Sequence, residues 1–77
     1  MNEPLLAIDE KRLLDDLQIA LLLAMSRSFV RKQRWLRRHG HPHALDIDPV
    51  FVGSKPRYRL SDVMAWLERL TPTAKLV

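Results

Sequence analysis

Leu13 to Arg38 reads LLDDLQIALLLAMSRSFVRKQRWLRR, and the few polar residues that punctuate it decide how the chain folds. Asp15 and Gln18 stand three apart at the head of an apolar run. That is the spacing of a capping box, in which the carboxylate accepts the Gln18 backbone N–H and the Gln side chain reaches back. The spacing predicts a first helix from Asp16 to about Met25. Leu17, Ile19, Ala20, Leu21, Leu22, Leu23 and Ala24 make it apolar nearly all round, so it needs cover on more than one side. Either the N-terminal arm or a second subunit would supply that cover. The competing parse is one long helix starting at Asp9. Ser26 then interrupts the run and caps a second helix, Arg27 to about Arg38, that ends before Gly40 and Pro42. Two helices joined by almost nothing, the second rich in Arg, have the helix-turn-helix layout.

At about 100° per residue the second helix places Phe29, Gln33 and Leu36 on one side, flanked by Val30, and this side faces the core. Arg27, Arg31, Arg34 and Arg38 fall at i, i+4, i+7 and i+11 on the opposite side, with Ser28 and Trp35 at their border. Like charges on one stripe weaken a helix, so a purely structural role would intersperse acids. No acid occurs between Ser26 and Ala44. A solvated face is the usual meaning of a charge run, but alignment without acids points to a polyanion such as nucleic acid.

Beyond this pair, His41 to Asp48 reads as a polar connection bounded by Pro42 and Pro49. Val50 to Val52 and Arg57 to Leu60 have the β-branched, aromatic and alternating character of short strands, with Gly53 and Pro56 marking the turn of a hairpin. Alternation puts Tyr58 and Leu60 on one face and Arg57 and Arg59 on the other. Lys55 extends the basic set, so the hairpin is a second candidate for phosphate contacts. Ser61 is the expected cap of a third helix, with Asp62 in its first turn and a core stripe of Val63, Trp66, Leu67 and Leu70. Thr71-Pro72 ends it.

Composition bounds the rest. The chain has 77 residues, no cysteine and a net charge of +4, which fits one small domain without disulfides or thiolate chemistry. The charge is uneven. Met1 to Met25 carries five acids and two bases, whereas Ser26 to Leu60 carries nine bases against Asp46 and Asp48 alone. The longest apolar stretch, Ile19 to Met25, is too short to cross a bilayer. A cytoplasmic protein is expected, with no membrane partner. His39, His41 and His43 could converge on a metal, yet further ligands are not evident, so polar surface is the simpler reading and no metal or cofactor is expected. Asp46 and Asp48 fit turn structure, and nothing supplies a set of catalytic roles. Trp66 belongs to the core stripe; Trp35, at the edge of the basic face, could be structural or stack on a base.

Leu13-Leu14-Asp15, Gln18-Ile19-Ala20, the Met25-Ser26-Arg27-Ser28 turn, and Val52-Gly53-Ser54-Lys55-Pro56-Arg57-Tyr58-Arg59-Leu60-Ser61-Asp62-Val63 with Ala65-Trp66-Leu67 together resemble the excisionase, or recombination directionality factor, family. The resemblance covers about two-thirds of the chain. The N-terminal arm lies outside it, and the connection from Gly40 to Pro49 is longer than the pattern has. It implies a mainly α fold with a small β-hairpin wing, a MerR-like winged helix-turn-helix over 13–70, with an arm at 1–12 and a tail at 71–77. It also implies a non-enzymatic protein that binds and bends double-stranded DNA at an attachment site and directs an integrase toward excision. Several copies would bind cooperatively. Transcriptional regulation of mobile-element genes by the same domain, or an adaptor docking through the apolar first helix, are the alternatives. The DNA contacts expected are Arg27, Ser28, Arg31, Lys32, Arg34, Arg38, Lys55, Arg57 and Arg59.

Overall fold

The computed structural model describes residues 12–70. The arm with Leu5, Leu6 and Ile8 and the tail after Leu70 fall outside the described residues, Arg12 excepted. Along the described chain the elements are β1 (Leu13–Leu14), α1 (Asp16–Leu23), α2 (Arg27–Arg38), β2 (Val50–Val52), β3 (Lys55–Arg59) and α3 (Leu60–Arg69). The three strands form one antiparallel sheet in the order β1-β3-β2.

The expected capping box starts α1: the Asp15 carboxylate accepts the Gln18 N–H at 2.8 Å, and the Asp15 N–H donates to the Gln18 side chain at 2.9 Å. Neither the longer helix from Asp9 nor the expected end at Met25 is what forms. Leu13 and Leu14 are extended ahead of the cap, and α1 stops at Leu23 because Ala24 turns left-handed, with φ 57°. The Met25 N–H then closes back on the Ala20 carbonyl at 2.8 Å. A left-handed alanine costs about 1–2 kcal/mol. What it achieves is an abrupt change of direction, since Ser26 already accepts the Phe29 N–H at 3.0 Å to open α2. α2 ends in the same way, with Gly40 at φ 74° and the His41 N–H on the Leu36 carbonyl at 2.9 Å.

The hairpin closes through Gly53-Ser54, with Val52 opposite Lys55, Phe51 opposite Pro56 and Val50 opposite Arg57. Gly53 takes the positive φ of 64° that two-residue hairpin loops demand. Pro56 therefore lies inside β3 rather than in the turn. Because β1 reaches only Tyr58 and Arg59, proline's missing N–H costs no ladder bond on that side. β1 itself was not expected; it places Leu14 opposite Tyr58, both buried.

At the end of β3, Leu60 is the first residue of α3 rather than the last of the strand, and no Ser61 cap forms. The Leu60 N–H donates to the Arg12 carbonyl at 2.8 Å, so the first amide of α3 is bonded to the residue before β1, and strand passes into helix without a linker. Val63, Trp66 and Leu67 pack on the core as the stripe requires. Leu70 departs from it: extended at the C-cap, it is half exposed.

Leu14, Ile19, Ala20, Val30, Leu45, Ile47, Tyr58 and Val63 form the core. Leu45 and Ile47 come from the connection expected to be polar. Its residues alternate, with Leu45 and Ile47 inward and Asp46 and Asp48 exposed, and the Ala44 N–H donates to the buried Gln33 side chain of α2. No helix among the described residues is long and apolar enough to cross a membrane. If the connection is core, Leu45→Ala costs about 2–5 kcal/mol in urea unfolding, whereas Leu70→Ala changes stability by about 0.5 kcal/mol or less. Equal effects would show that the connection does not pack.

Candidate functional site

Basic side chains of α2 and of the hairpin border one surface hollow together. One open hollow of about 350 Å³ is lined by Asp15, Asp16 and Leu17 at the start of α1, Arg27 and Arg31 of α2, and Lys55, Pro56 and Arg57 of the hairpin. A larger open cleft of about 1050 Å³ runs between α2 and the hairpin, with Arg31, Arg34, Trp35, Arg37 and Arg38 on one wall and Phe51, Ser54 and Pro56 on the other. The turn at Ala24 and Ser26 sets the exit of α2 from α1. The Gly53-Ser54 turn brings Lys55 back across from Val52.

Among the described residues Arg27, Lys32, Arg38, Lys55 and Arg57 form no ion pair. Arg57 donates to the Pro56 carbonyl at 2.7 Å. Arg31 comes within 3.9 Å of Asp16 but keeps 58% of its side chain exposed. Arg59 sits 3.6 Å from Asp62 on the next turn of chain, also largely exposed, and Ser28 is exposed.

Arg34 has a different environment from its neighbours on the stripe. Its guanidinium donates to both Asp16 oxygens, at 2.7 and 2.9 Å, and only 20% of the side chain is accessible. It lies beside the buried Tyr58 hydroxyl, which has no hydrogen-bond partner of its own. Hydrogen bonding to Asp16 holds Arg34 charged far above its ordinary range, while burial raises the Tyr58 pKa. This fork-to-fork pair ties α2 to α1 over β3.

The sequence did not reveal the role of Arg37. Its guanidinium donates to Asp48 at 2.9 Å and to Asp46, and lies 3.1 Å from the His43 ring. The two aspartates expected in turn structure thus clasp α2 to the connection, and Asp48 followed by Asp46 keeps Arg37 protonated above its usual range. The signal was present as the alternation Leu45-Asp46-Ile47-Asp48, read as a bare polar loop. His39 and His41 stack on Trp35, with ring centroids 4.2 and 5.6 Å away, and the His39 Nδ1 lies 2.8 Å from the Trp35 carbonyl. Among the described residues no three His, Asp or Glu side chains are grouped to hold a metal ion.

Comparison of the chain with protein-family models, with curated proteins and with solved structures finds no match.

The clasp has a pH signature. A hydrogen bond from His43 and the charge of Arg37 hold the Asp46 carboxyl below the ordinary aspartate value of 3.8. A depressed folded-state pKa stabilises the fold above the unfolded value, and that contribution is lost as pH falls through the folded one. Carbon NMR titration should find Asp46 ionising below free aspartate, and Arg37→Ala should move the midpoint upward. An unmoved midpoint would dissociate Asp46 from Arg37.

Proposed function

We propose that the chain is a sequence-specific double-stranded DNA-binding protein that uses its two closely joined helices and its hairpin as a winged helix-turn-helix. The observation that carries this reading is the hollow bordered jointly by Arg27 and Arg31 of α2 and Lys55 and Arg57 of the hairpin. Two elements distant in sequence contribute cations to one surface, and three of them, Arg27, Lys55 and Arg57, form no ion pair among the described residues, which leaves them available to a phosphate backbone. α2 would lie in the major groove with Arg27, Ser28, Arg31, Lys32 and Arg38 toward the DNA, and Lys55, Arg57 and Arg59 would hold phosphates or enter the adjacent minor groove.

Arg34 is assigned another task. Held by both Asp16 oxygens and largely covered, it fixes the pose of α2 instead of reading a base.

The resemblance to excisionases extends this to a biological role: several copies bind and bend attachment-site DNA beside an integrase and favour excision. Regulation of mobile-element genes would use the same surface. Footprinting on the DNA flanking the gene separates the two, since protection of an attachment site supports excision and protection of a promoter alone supports regulation.

The binding mode makes a quantitative demand. Arg31→Ala should weaken specific binding by about 1–3 kcal/mol where it reads a base edge. Lys55→Ala should lower the magnitude of the salt slope by about one and leave sequence preference intact. Mobility-shift titrations across a salt series measure both. Affinity that does not fall with salt would remove DNA as the partner.

A further inference from the structure

We infer that the cleft between α2 and the hairpin seats one sugar–phosphate strand, with Trp35 and Phe51 pressed against deoxyribose, so that the protein discriminates against ribose in the strand it holds. The inference rests on the duplex-binding reading and adds two residues that the basic pattern does not include.

The two rings are conspicuous for their exposure. Trp35 is 52% and Phe51 59% accessible, although each lines the cleft of about 1050 Å³ in which Arg31 and Arg38 also stand. Large apolar side chains rimmed by charge mark a surface meant to be covered. On the hairpin wall Phe51 stands opposite Pro56, which makes a continuous apolar strip. On the α2 wall Trp35 is held by its stacking on His39 and His41, so little side-chain freedom remains to be lost on binding.

A ligand that fits must alternate anionic groups with apolar surface. The backbone of a duplex does so, because stacking hides the faces of the bases and leaves phosphates and sugars along the ridge between the grooves. Arg38 would take a phosphate and the two rings the sugars. The C2′ carbon of deoxyribose carries only hydrogen, whereas ribose places a hydroxyl there. Pressed on an aromatic ring, that hydroxyl loses water without gaining a partner. The acid in the lining, Asp48, already accepts from Arg37.

The test uses the full chain and two probes: a mixed-sequence DNA duplex, and the same duplex with ribonucleotides scattered along both strands so that B-form geometry persists. The native protein should prefer the all-DNA duplex about tenfold, corresponding to about 1.4 kcal/mol. Phe51→Ala and Trp35→Ala should each lose most of that preference and bind DNA several-fold more weakly, with the salt slope kept because the cations remain. Phe51→Leu, which retains an apolar wall, should keep the preference. Thermal melting checks that each variant is folded, as expected for half-exposed positions. Equal binding of both probes by the native protein, or an undiminished preference in folded Phe51→Ala and Trp35→Ala, would overturn the inference while salt-dependent duplex binding still stood. Absence of salt-dependent binding to either probe would overturn the duplex-binding reading and the inference with it.

Discussion

The Asp16–Arg34 pair fixes the geometry on which the rest depends. It joins the first turn of α1 to the middle of α2 through two short hydrogen bonds, directly beside Tyr58, the fully buried residue of β3. Helix, helix and sheet thus meet at one point. The two helices are linked by only Ala24, Met25 and Ser26, and so short a turn limits how far apart they lie but not how α2 is rotated. Pairing of one arginine sets that rotation. It holds Val30 and Gln33 inward and Arg27, Arg31 and Arg38 outward.

The same logic divides the cations into two groups. Asp16, Asp46 and Asp48 are spent on Arg34 and Arg37, the two arginines that fasten α2 to its neighbours. Each pairing removes a positive charge from the structural side of the helix, and the described acids pair little with the outer face. Partly covered ion pairs contribute modestly to stability in themselves, because desolvation offsets much of the attraction. Their effect here is orientation. The connection from Gly40 to Pro49 serves the same end twice over, anchoring Leu45 and Ile47 in the core and Asp46 and Asp48 on Arg37.

What could be read in the sequence was whatever is encoded by neighbours. The Asp15–Gln18 capping box, the Ser26 cap, the Gly40 stop and the Gly53 turn all act within a few residues, and all four form. β1 was illegible because two residues carry no periodicity, and its partner lies more than forty positions away. The boundary at Leu60 was misplaced because the Leu60 N–H bonds to a distant carbonyl, that of Arg12, which no neighbouring residue announces. Within the candidate site, helical spacing identified the basic stripe. Spacing cannot tell a cation that faces solvent from one that faces a carboxylate on another helix, which is why Arg34 was grouped with Arg27, Arg31 and Arg38 and why Arg37 went unnoticed. The Leu45 to Asp48 alternation was visible but short enough to pass for a loop.

The central claim is that α2 and the hairpin form one DNA-binding surface. Amide NMR spectra of the isotopically labelled protein, recorded during titration with duplex DNA, test it most directly. The account predicts that Arg27, Arg31, Lys32 and Arg38 on α2 and Lys55 and Arg57 in the hairpin respond together along a single binding curve. A response confined to one of the two elements, or none on either at saturating DNA, would contradict it.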